Sequence, residues 1–194
     1  MRERILQLKH IASTVAICAM LVAAIPTHGM VDQAHLEKGR SLFYQAVQEE
    51  AKLDSAMALY QELAESSDSL HGRALVYMGA LTSLKGKHAF LPQKKVKFVN
   101  TGIKMMEEGI AVSPADVEAL FVYGSTLYYL PFFFGKKEDA QETFDLILEY
   151  LPGQIHAYDH EMLQNVLAFL EENADLTEPQ TDLVESLQMK VASQ

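Results

Sequence analysis

His156 and His160 stand four residues apart, beside Asp159 and Glu161. On a helix that spacing puts both imidazoles on one face, as a metal pair requires. Two ligands do not fill a coordination sphere, and no HExxH motif or set of cysteines completes one. Covalent chemistry has no better footing. The single cysteine, Cys18, lies near the start, and there is no GxSxG elbow, no GxGxxG and no GxxxxGK[ST] loop. Carboxylates are abundant, but runs such as Glu171-Glu172 are expected on solvated helix faces. The expectation is a binding protein rather than an enzyme, with no cofactor and no metal.

The residues with the most binding chemistry are aromatic and cationic. Residues 128–140 read YYLPFFFGKKEDA, five aromatics in seven positions, broken by Pro131 and Gly135 and followed by Lys136 and Lys137. Such a stretch would serve as a membrane-dipping tip, a ligand-binding lid or a turn between two buried helices. Three consecutive phenylalanines cannot all face one way, so at least one is expected to be partly exposed. The run either tucks between helices to cover the open end of a hairpin or marks a partner or ligand site. A second stretch, KHAFLPQKK at 87–95, repeats the combination of Leu-Pro, Phe and a Lys-Lys pair. Lys85, Lys87, Lys94, Lys95, Lys97 and Lys104, with Lys136 and Lys137, would form one positive patch if the two stretches were neighbours. That patch would receive an acidic partner or a carboxylate ligand.

Helices must position these residues. Val117, Leu120, Phe121, Gly124, Leu127 and Tyr128 fall on one helical stripe, as do Ala140, Phe144, Ile147, Leu148 and Leu151. No β-branched run bounded by turn signals reads as a strand. Eight helices are expected, at about 32–49, 52–66, 70–86, 93–112, 115–130, 136–151, 156–173 and 178–192. Ser113 would cap the fifth, with Pro114 at its first position. Pro152-Gly153 would stop the sixth. Thr177 and Gln180 fit a capping box before the last.

The first 29 residues have the layout of a secretory signal peptide. Arg2, Arg4 and Lys9 precede Ile11–Ile25, 15 residues without a charge, and Pro26-Thr27-His28-Gly29 follows. The run is short of the roughly 20 residues a membrane span needs. Cleavage after Gly29 would leave a periplasmic or secreted chain without cysteine and so without disulfides. It would remove three basic residues and one acidic one, moving the net charge from -10 to -12. That charge argues against nucleic acid as a partner, and anionic headgroups would repel it on average, so no stable membrane insertion is expected after cleavage.

The helices pair in a recognisable order. Leu120 and Tyr123-Gly124 precede Ala140, Phe144 and Pro152; Met78-Gly79 precedes Gly102, Met106, Gly109 and Pro114; Phe43-Tyr44 precedes Ala56, Tyr60 and Leu63. Residues 36–153 thereby resemble the tetratricopeptide repeat (TPR) family. The family's tryptophan is absent, and Pro114 and Pro152 lie 38 residues apart where the repeat is about 34. The resemblance implies an all-α fold of antiparallel helical hairpins stacked as a solenoid over residues 30–153, closed by C-terminal capping helices over 154–194. It implies a groove for a protein or peptide partner, within a transporter or envelope complex. Tyr77, Tyr123 and Tyr128 would face that groove from the first helix of each pair, with Lys94, Lys95, Phe133 and Phe134 at its rim. The run LPFFFGKKEDAQETF is also similar to a segment of the TPR-like T-component associated with TRAP transporters. That likeness implies an alternative, a periplasmic component holding a hydrophobic or acidic ligand for such a transporter.

Overall fold

The computed structural model describes residues 28–193. The expected signal peptide and Cys18 lie outside the described residues, apart from His28 and Gly29, which open the first helix. The protein is all-α. Among the described residues eight α-helices follow one another: α1 (His28–Gln48), α2 (Leu53–Ser66), α3 (His71–His88), α4 (Pro92–Val112), α5 (Val117–Tyr128), α6 (Lys137–Gln154), α7 (His160–Asn173) and α8 (Glu178–Ala192). Short 3-10 turns at Glu50–Lys52 and Phe132–Phe134 precede α2 and α6. The described residues contain no strand. None of their helices is long and apolar enough to cross a membrane.

The chain divides into two compact units, Met1–Glu37 and Lys38–Gln194. The first is described only as the opening turns of α1. The second holds the rest of α1 and every other helix.

Within the second unit, glycines set the closest packing. Gly72, Gly79 and Gly86 lie seven apart on α3 and face α4. A Cβ on Gly79 would fall 2.6 Å from the Gly102 carbonyl oxygen, and one on Gly109 would fall 2.5 Å from that of Gly72. Gly86 meets the carbonyl of Lys95. Rising numbers on α3 thus meet falling numbers on α4, so the two form an antiparallel hairpin in backbone contact. Gly124 of α5 faces Phe144 of α6 in the same way, 2.8 Å from the ring for an added Cβ. The core between the pairs is aliphatic and aromatic: Tyr60, Leu81, Met106, Leu120, Phe144, Leu163 and Leu167 are almost wholly buried. α8 packs on α7 and α6 through Val184, Leu187 and Val191.

Several local expectations change. The cap of α5 is Asp116, whose carboxylate accepts the Ala119 N–H at 2.9 Å, while Ser113 to Ala115 form the preceding turn. α6 runs through Pro152 to Gln154. Proline in the last turn removes one backbone donor, and burial of Leu148, Leu151 and Ile155 holds that turn against the core. α7 begins at His160, capped by Asp159 on the Met162 N–H at 2.8 Å, so His156 falls outside the helix and shares no face with His160. The α3–α4 connection is only Ala89–Leu91, whereas α5 and α6 are joined across Tyr129–Lys136. The two Leu-Pro stretches are therefore different turns. The capping box of Thr177 and Gln180 forms as expected.

Candidate functional site: an apolar cleft between the first helices

Small residues on α3 open a cleft. Ala80, Ser83 and Gly86 recur every three residues and leave a floor without bulk. Large side chains wall it: Phe43, Tyr44 and Val47 from α1, Phe121 and Tyr129 from the α5 side, and Phe169 from α7. The start of α4 contributes Pro92, Lys95 and Val96, and the turn before α6 contributes Pro131, Phe133 and Phe134. The space is about 1040 Å³. Lys87 and Lys95 are the charged residues of the lining, and no carboxylate joins them. On the floor, the Ser83 Oγ is buried without a hydrogen-bond partner.

Aromatic contacts stiffen the far wall. Phe169 meets Phe121, Tyr128, Tyr129 and Phe144 with ring centroids 5.4 to 6.0 Å apart, mostly edge to face. Each such pair adds about 1 kcal/mol beyond burial. Gly135, at φ 65°, takes the left-handed conformation that lets the Phe132–Phe134 turn reverse into α6.

The residues singled out in the sequence separate into three places. Lys95, Phe133 and Phe134 line the cleft. Lys94 borders a second depression of about 760 Å³ with Lys85, Lys97, His88 and Phe90, where Glu50 and Asp54 supply opposite charge. The three tyrosines stand outside the lining. Tyr128 is half-buried against Phe144 and Phe169, with the Lys137 Nζ 3.3 Å above its ring centroid. Tyr123 is half-buried with its hydroxyl directed at Glu107. Burial first, and then the Glu107 carboxylate, push that phenol up. Tyr77 is 3% exposed and belongs to a charged ladder.

The ladder centres on Glu118, which is 1% exposed. Arg40 of α1 grips it with two bonds, Nε to Oε1 at 2.7 Å and an η-nitrogen to Oε2 at 2.6 Å. Arg73 of α3 approaches Oε2 at 2.8 Å, and the Tyr77 hydroxyl donates to Oε1 at 2.8 Å. Arg40 also bonds Asp159, the cap of α7, and Arg73 bonds Asp116, the cap of α5. Burial raises the carboxyl of Asp159, but the Met162 N–H and Arg40 outweigh it and hold the group below its ordinary range. Three carboxylates and two guanidinia tie together α1, α3, α5 and the start of α7. Sequence reading passed over Arg40, Arg73 and Glu118. The available signal was Glu118 itself, the lone charge in an otherwise apolar α5.

Among the described residues no cluster of three His, Cys, Asp or Glu side chains is placed to hold a metal. Comparison with known family models, curated proteins and solved structures gives no match.

Proposed function

We propose that the chain is an exported, TPR-like binding protein whose cleft holds an apolar segment of a protein or peptide partner in the cell envelope. The observation that carries this reading is the cleft. It is a large apolar surface walled by aromatics from several helices, the kind of surface that marks an interaction site. Pockets lined by rigid aromatics supply the anchoring contacts of protein interfaces. Its volume, about 1040 Å³, lies just above the roughly 300–1,000 Å³ usual for small molecules, which favours a chain segment. Lys87 and Lys95 add a preference for an acidic residue beside the apolar anchor.

One observation favours a second reading. A lining without carboxylates also suits a hydrophobic small molecule bearing an acid, which a TRAP-associated component would hold for its transporter. Photo-crosslinking separates the two. A benzoylphenylalanine at Thr126, in the cleft, is expected to capture a protein in the producing cells, while the same group at exposed Glu62 of α2 captures none. A gain of only a few hundred daltons would transfer support to the carrier. Equal capture at both positions, or none at Thr126, would remove the cleft from the account.

A further inference from the structure

The charge of this chain is unevenly distributed. Residues 69–106 contain no acidic residue and seven basic ones, in a chain of net charge -10. Residues 119–137 again lack an acid and end in Lys136 and Lys137. These two segments carry the α3–α4 and α5–α6 turns, and the starts of α4 and α6 lie just behind them. Both turns border the same cleft, through Pro92 and Lys95 on one side and Pro131 and Phe133 on the other. They therefore occupy one edge of the second unit.

Each turn is tipped with phenylalanine. Phe90 is 92% exposed and Phe132 is 88% exposed. Leaving aromatic side chains in water forfeits the gain of burial, about 25 cal/mol per Å². Lysines stand behind both tips, Lys94, Lys95 and Lys97 in the first turns of α4 and Lys136 and Lys137 at the start of α6, where Glu138 and Asp139 follow and Asp139 pairs with Lys136. Apolar tip first and cation second is the layering of a bilayer interface, where aromatic rings sit at headgroup level and lysine stems reach past them to phosphates. A protein partner fits less well. Protein interfaces favour arginine and are depleted in lysine, and every cation at these tips is lysine.

We infer that this edge docks the protein on an anionic lipid surface, with Phe90 and Phe132 entering the headgroup boundary and the lysines meeting phosphates. The net charge does not forbid it. Attraction acts within a Debye length of the surface, about 8 Å at physiological salt. Glu138 and Asp139 offset Lys136 and Lys137, and Glu50 and Asp54 lie beside the first tip, so the net positive charge of the edge comes from Lys85, Lys87, Lys94, Lys95 and Lys97. The inference does not depend on what the cleft binds.

The chain contains no tryptophan, so Phe90→Trp and Phe132→Trp each give a single fluorophore at one tip. In the full chain, both variants are expected to show blue-shifted emission with vesicles of phosphatidylcholine containing about 30% phosphatidylglycerol. Bromine-labelled acyl chains should quench that emission, and salt should reverse the shift. Replacing Lys94 and Lys97, which lie outside the cleft, together with Gln should weaken partitioning on the order of thirtyfold, at about 1 kcal/mol per lysine. Unshifted emission at both tips would overturn the inference. So would an equal shift on pure phosphatidylcholine that the lysine replacements leave unchanged. A shift caused by soluble polyglutamate but not by vesicles would also overturn it, and would assign the edge to an acidic protein partner.

Discussion

At the scale of single residues, Glu118 decides how the first helices meet. A buried carboxylate is costly unless its lone pairs are filled, and here two arginines and Tyr77 fill them. Desolvation offsets much of the attraction in such a network, while loss of one partner would leave an uncompensated buried charge. Tyr77 also stacks on Tyr60, centroids 4.3 Å apart and planes within 9°. Burial first, then the Glu118 carboxylate, push both phenols well above the ordinary tyrosine range. The sign follows from linkage. Unfolded tyrosine releases its proton near pH 10, whereas these two keep theirs while folded. Their contribution is complete below pH 10 and is lost as the pH rises beyond it. An absorbance titration followed beside circular dichroism should show these phenols ionising together with helix loss. Smooth ionisation of all eight tyrosines with the helices intact would contradict that.

At the scale of elements, the α3–α4 hairpin is the tightest joint. Gly79→Ala would set a Cβ against the Gly102 carbonyl and Met106, neither able to yield without shifting a helix. A loss of about 3 kcal/mol is expected in urea unfolding, the upper part of the range for overpacking. Gly153→Ala is the control. It lies in the last turn of α6 with nothing within 4 Å of an added Cβ, so it should stabilise by about 0.5–1 kcal/mol. Equal effects would mean that the glycines act only through helix propensity. The eight helices were legible in the sequence because apolar spacing and caps are local signals. Thr177 with Gln180 was read correctly, since both partners sit within one turn. Pro152 misled because burial of Leu151 and Ile155 outweighed one lost hydrogen bond. The KHAFLPQKK stretch misled because Leu-Pro looked like a long turn, when proline opens α4 at once.

At the scale of the whole unit, the cleft was only partly legible. Lys95, Phe133 and Phe134 announced themselves through composition. Its floor of Ala80, Ser83 and Gly86 did not, because small residues read as helix contacts until their position between walls is known. The ladder was illegible for a related reason: Arg40, Glu118 and Asp159 are separated by 78 and 119 positions, and nothing local links them. The lysine-rich edge shows the opposite failure. Its residues were plain and were read as one positive patch, but that the two turns border one cleft could only come from the fold.

Native mass spectrometry of the full chain, purified without added ligand and compared with Ser125→Trp, tests the cleft most directly. Ser125 lines it and is half-buried, so an indole there fills the space without entering the core. The account predicts a non-covalently bound peptide or small molecule on the unaltered chain and none on the filled variant. The same occupancy on both would contradict a binding cleft at this site, and a bare mass for each would remove the small-molecule carrier reading.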